Sequence, residues 1–198
     1  PPPPSPPPLP PTTTDIPYSL VALTFERIAS QQGRIFITDQ LTKLFFFVLR
    51  TKPSDLFSVI LLCGSMGDLK IGGGLMSQAI CDALGCQRTT LRAAYNKVAE
   101  QGNGDLGDAA EEVGLKLKNQ TTLFGSVRKI KPLMVQDVVA SLVTSQTLTG
   151  SGSRLARLSN ITSLLRRCDA NSKKVSSTTR PELRFIVRTC ICNLRIHS

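Results

Sequence analysis

From Ile16 onward, apolar residues recur at steps of three and four, the period of one helical face. Ser19 to Ser30 carries Leu20, Val21, Leu23, Phe25 and Ile28 in this rhythm, and Gly33 follows as a stop. Thr38 stands where an N-cap belongs, ahead of Asp39 to Arg50 with Leu41, Leu44, Phe45, Val48 and Leu49 turned inward. Pro53-Ser54-Asp55 opens a third helix through Phe57, Ile60, Leu61 and Leu62. Leu75 to Leu84 ends at Gly85 and Thr90 to Glu100 ends at Gly102, matching the glycine preference of helix C-termini. Asp108 to Val113 is short, with its acid at the end the helix dipole favours. Val135 to Gln146 and Ser153 to Arg167 are longer, the latter with Leu155, Leu158, Ile161, Thr162 and Leu165 in step. Residues 119–131 are too short and too basic to assign. The pattern predicts a compact all-α domain of about eight to eleven helices.

The closing segment, Arg184 to Ile196, adds a polar rhythm to the apolar one. Arg184, Arg188 and Arg195 are four and seven residues apart and share a helical face, while Ile186, Val187, Cys190, Ile191 and Leu194 cover much of the rest. One face is suited to burial and the other to anions. Charge along the chain points the same way. Residues 1–100, 101–150 and 151–198 carry balances of +2, 0 and +8, so the net charge of +10 sits in the final quarter. Clustered Lys and Arg neutralise a phosphate backbone and gain from counterion release. Solvated faces of surface helices would give the same counts.

Composition then sets the bounds. At 198 residues, 41% hydrophobic and 19% charged, the chain has the makings of one globular domain. Residues 1–11 hold nine of the thirteen prolines, a polyproline II composition, so 1–15 reads as a linker ahead of a helical domain over 16–198. No basic residue flanks the prolines to suggest an SH3-type ligand. No run of eighteen apolar residues and no signal-peptide pattern occurs, so no membrane partner is expected. Cys63, Cys81 and Cys168 lie inside apolar helical patterns, as small hydrophobes in a reducing compartment do.

Two glycine-rich stretches could cradle phosphate. Gly72-Gly73-Gly74 lacks the Lys-Ser/Thr that completes a P-loop. Thr149-Gly150-Ser151-Gly152-Ser153 is better placed, with small residues exposing backbone N–H groups at a helix start. A flexible helix connection has the same composition. Cys190, Cys192 and His197, or Cys81 and Cys86, lack the spacing of a zinc site, so no metal is expected. His197 is the only histidine, and Glu111-Glu112 reads as surface acidity, so no catalytic residue is assigned.

The order of motifs resembles the N-terminal DNA-binding domain of eukaryotic and archaeal ATP-dependent DNA ligases. The likeness runs through Pro17-Tyr18-Ser19-Leu20, Thr24-Phe25-Glu26-Arg27-Ile28, Pro53-Ser54-Asp55-Leu56 and Leu69-Lys70-Ile71-Gly72-x-Gly74. It continues with Ala79-Ile80, Ala83-Leu84-Gly85, Ala99-Glu100-Gln101-Gly102, Gly104-Asp105-Leu106-Gly107, Leu148 to Ser153, Arg184-Phe185-Ile186-Val187-Arg188 and Leu194-Arg195-Ile196. Two departures stand out. The family's Gly-Lys-Leu-Arg-Ile-Gly is here Cys192-Asn193-Leu194-Arg195-Ile196-His197, without either glycine or the lysine, and a polar insertion occupies about 169–179.

The resemblance implies a domain that grips nicked duplex DNA across the minor groove and along the backbone, for a catalytic core in cis or in trans. It places the contacts at Thr149, Gly150, Ser151 and Ser153, at Arg195 with its neighbour Asn193, and at Arg34, with Arg184 and Arg188 on the stripe leading there. ATP and magnesium are implied for a full-length ligase, not for this chain, which has no Lys-x-Asp-Gly. A nuclear location and roles in replication, repair and recombination follow from the same likeness. The rival expectation is a ligase-like helical module that binds proteins and not DNA.

Overall fold

The computed structural model describes residues 15–31, 33–64, 66–102, 104–121, 132–172 and 180–191. Among them are nine α-helices and one 3-10 turn, with no β-structure beyond a single bridge between Pro17 and Met134. The all-α expectation is met. Asp15, counted with the linker, is already tied to the fold, its carboxylate 2.6 Å from Lys52 Nζ.

Helices α1 (Tyr18–Ser30) and α7 (Val135–Thr147) start side by side. Tyr18 N–H donates to the Leu133 carbonyl at 2.8 Å and Val135 N–H to the Ile16 carbonyl at 2.9 Å, so each strand-like lead-in satisfies the other's polar backbone. Helix α2 (Arg34–Thr51) begins a full turn earlier than Thr38 suggests. That hydroxyl donates to the Arg34 carbonyl at 2.9 Å inside the helix, an alternative to capping that short polar side chains share. Only Leu44 and Val48 of α2 are buried, and Leu49, expected inward, is 46% exposed. After the turn Pro53–Asp55 comes α3 (Leu56–Cys63).

Helices α4 (Gly73–Leu84) and α5 (Arg88–Glu100) are separated by Gly85 at φ 69°, the left-handed stop its position predicts. Helix α6 (Leu106–Thr121) is far longer than the expected Asp108 to Val113. Its start is a reciprocal cap: the Asp105 carboxylate accepts from the Gly107 and Asp108 N–H groups, and Asp108 accepts from the Asp105 N–H. Helix α8 (Ser153–Ser172) runs into the polar insertion, because no Gly or Pro intervenes to end it and Cys168 is still buried. Residues 173–179 lie outside the described residues. The last described helix is α9 (Pro181–Ile191).

The core is continuous. α4 packs along α8, α6 along α9, α5 along α6, and α7 against α8 and α3. α9 lies in the middle, touching α1, α4, α6 and α8, with Leu183, Ile186 and Val187 fully enclosed. Cys63, Cys81, Cys86, Cys168 and Cys190 are in no disulfide among the described residues. Among the described residues no helix is long and apolar enough to cross a membrane, and no cluster of acids, cysteines and histidines could hold a metal.

Candidate nucleic-acid interface

The α7–α8 connection has the geometry its sequence suggests. Gly150 and Gly152 take φ of 82° and 83°, a conformation side chains with Cβ resist, and an added Cβ at either would meet no atom within 4 Å. Thr149, Gly150, Ser151 and Gly152 are exposed, and Ser153, half-buried, is the first residue of α8. The first-turn N–H groups of a helix lack carbonyl partners in their own helix and carry the positive end of its dipole. Ser153 N–H already donates to the Gly150 carbonyl at 3.2 Å, and the missing Cβ atoms of Gly150 and Gly152 leave room for an anion at the N–H groups that follow.

The loop is open yet held. Arg157, only 8% exposed, sends Nε to the Ser145 carbonyl at 3.0 Å and Nη2 to the Leu148 carbonyl, satisfying two acceptors at the frayed end of α7. Asn160 Nδ2 donates to the Ser141 carbonyl at 2.6 Å and to Ser145 Oγ at 2.9 Å. Gln146 Nε2 donates to the Met66 carbonyl, which joins the end of α7 to the segment that leads into Gly72. These three braces were not singled out from sequence. Their signal is faint, because Arg157 stands one helical turn beyond Ser153 and reads there as one more surface cation.

Around the loop, Arg154 is exposed and makes no ion pair among the described residues. Leu155, expected in the core, is 71% exposed and begins an open cleft of about 530 Å³. Leu158, Ser159, Thr162, Ser163 and Arg166 continue it along α8, with Asp82 opposite. Arg166 is held there by donation to the Asp82 carbonyl at 2.9 Å.

Two members of the arginine stripe, Arg184 and Arg188, lie among the described residues and face carboxylates. Arg188 reaches Asp105 Oδ2 at 2.7 Å and both oxygens of Asp108 at 2.8 Å, binding the same carboxylates that cap α6. Arg184 pairs with Glu26 of α1, and its Nη1 lies 3.3 Å from Glu111 and 3.6 Å from Asp108. Both guanidinium groups cover the Phe185 ring, at 5.0 and 5.4 Å, and Phe185 packs on Phe25. The anions that this face meets are therefore the protein's own. Burial, with Arg188 nearby, lowers Arg184 to about 10, still charged at neutral pH. For Arg188 burial opposes the charge, but Asp105 and Asp108 outweigh it and raise its pKa.

Glu111 is also corrected. Far from surface acidity, it is 7% exposed and accepts from the Arg180 N–H, with burial raising its pKa. Its neighbour Glu112 does face outward, paired with Lys97 and Lys116 at 2.8 Å each. The acidic rhythm Asp105, Asp108, Glu111, set against arginines four apart, was the legible sign of this network. Arg34, the first residue of α2, is exposed and forms no ion pair among the described residues. Asn193 and Arg195 lie outside the described residues.

The family model described as DNA ligase N terminus matches residues 17–198. DNA ligase 6 of Arabidopsis thaliana is 32% identical over 187 residues, covering 91% of this chain and 12% of that protein. DNA ligase 3 of Schizosaccharomyces pombe is 26% identical over 93% of the chain and 22% of its own length. DNA ligase 2 of the archaeal Thermofilum pendens is 28% identical over 92% and 29%. The chain thus spans under a third of the length of each of these relatives.

Proposed function

The chain belongs to the DNA ligase N-terminus family, and from that premise we propose that it grips nicked duplex DNA for a catalytic core that seals the nick. The observation that carries this reading is the exposed, doubly left-handed glycine loop at the head of α8, braced from beneath by Arg157. Arg154 beside it, and Arg34 on α2, supply cations that form no ion pair among the described residues. Arg184 and Arg188 act indirectly, by fixing α9 against the α6 cap, and direct contact is assigned also to Asn193 and Arg195. Adenylylation chemistry, with its ATP and magnesium, belongs to a Lys-x-Asp-Gly site that these 198 residues do not contain. A nuclear place in replication, repair and recombination goes with this reading.

Phosphate-backbone binding weakens linearly on a log–log salt plot, in proportion to the phosphates neutralised. Nicked-duplex affinity is expected to fall by at least about tenfold between 50 and 200 mM salt, and Arg154→Ala to reduce the slope by about 1 on every sequence. Fluorescence anisotropy with labelled nicked duplex measures both. Salt-independent affinity, or none, would leave the rival reading of a protein-docking module, for which the internally neutralised Arg184 and Arg188 already speak.

A further inference from the structure

Large apolar side chains stand exposed on the two helices that flank one turn. Phe46, Phe47 and Leu49 stand 58%, 48% and 46% exposed in the last turns of α2, and Phe57 and Ile60 stand 70% and 46% exposed at the start of α3. They flank the turn from Thr51 to Asp55. Arg50 covers part of the Phe46 ring, its guanidinium carbon 5.3 Å from the centroid. Aromatic residues at such density on a water-facing surface mark a docking face.

The same turn fixes the place where the proline-rich segment joins the fold. Lys52 Nζ lies 2.6 Å from Asp15 and 3.3 Å from Asp55, so one ammonium ties the end of that segment to the turn that leads into α3. We propose that Pro1–Pro11 packs on the aromatic face of α2 and α3 as an intramolecular polyproline ligand. Polyproline II rises about 3.1 Å per residue, so Leu9 reaches about 19 Å from Asp15 and Pro1 about 43 Å. A helix of 18 residues such as α2 is about 27 Å long, so the segment is long enough to run along it. Proline rings stack on aromatic side chains, lack backbone N–H groups to leave unpaired, and lose little entropy because polyproline II is preformed. Residues 1–14 carry no charge, in keeping with a face that offers apolar side chains. Tethering raises the effective concentration to about the millimolar range, enough to populate a contact too weak to act between separate chains.

The test uses the full chain and a neutral polarity-sensitive dye, Nile red. In a variant of unchanged length, Pro6, Pro7, Pro8, Leu9, Pro10 and Pro11 become serine. A tethered millimolar contact covers the face about half the time, so the variant is expected to bind about twofold more dye. Phe57→Ser, in either background, should abolish the difference, and far-ultraviolet circular dichroism should show the same helicity in all four chains. Equal dye binding with and without the prolines overturns the proposal. In that event, a concentration-dependent dimer in sedimentation assigns the face to a second copy, and a monomer assigns it to an external partner.

Discussion

At the scale of single residues, the arginines of this protein serve in two ways. Arg154 and Arg34 form no ion pair among the described residues, whereas Arg184 and Arg188 are paired inside the fold with Glu26, Asp105, Asp108 and Glu111. Removing one member of a partly buried pair strands the other. Arg188→Met and Asp108→Asn are each expected to lower stability by about 2 kcal/mol, and the double variant to lose less than their sum, as urea unfolding will measure. Glu182 gives a pH signature. Burial raises its carboxyl from 4.5 to about 7. Between those values the folded chain holds a proton that the unfolded chain has released, so stability falls as pH rises through this window. Glu182→Gln should flatten that decline, and urea midpoints at pH 5 and pH 7 will reveal it.

Elements show how local grammar meets tertiary demand. Glycine stops served well: Gly85 ends α4 in the left-handed region, and Gly150 and Gly152 turn the chain into α8. Gly150→Val would force a β-branched residue into that region, where about 1–2 kcal/mol of strain is expected. Thermal unfolding should report this loss, and nicked-duplex affinity should fall with it. Helix lengths were less legible. α6 grew past Val113 because its apolar face continues beneath α9, and α8 ran to Ser172 because nothing in the sequence breaks it. Thr38 misled because a hydroxyl donating back to the Arg34 carbonyl looks, in sequence, like a cap.

For the whole molecule, α9 is the keystone, enclosed by α1, α4, α6 and α8. A core shared by helices from both ends of the chain should melt as one unit. Tyr18, 1% exposed in that core, and the helical signal in circular dichroism are expected to follow superimposable urea transitions. α2 is the looser partner, anchored by Leu44 and Val48, with its outer side left for whatever covers Phe46 and Phe57.

Sequence by itself determined the helical class, the punctuation between helices and the glycine loop of the candidate site, because periodicity and left-handed turns are local properties of residue type. It also carried the motif order that places the chain among DNA ligase N-terminal regions. What only tertiary structure decided is which charges are available. Arginines four residues apart look alike whether they face water or carboxylates brought from Glu26, some 158 positions away, and from α6, some 80 away. Spacing fixes a helical face, but the partner across that face is set by packing, and packing set Arg184 and Arg188 in an inner seam.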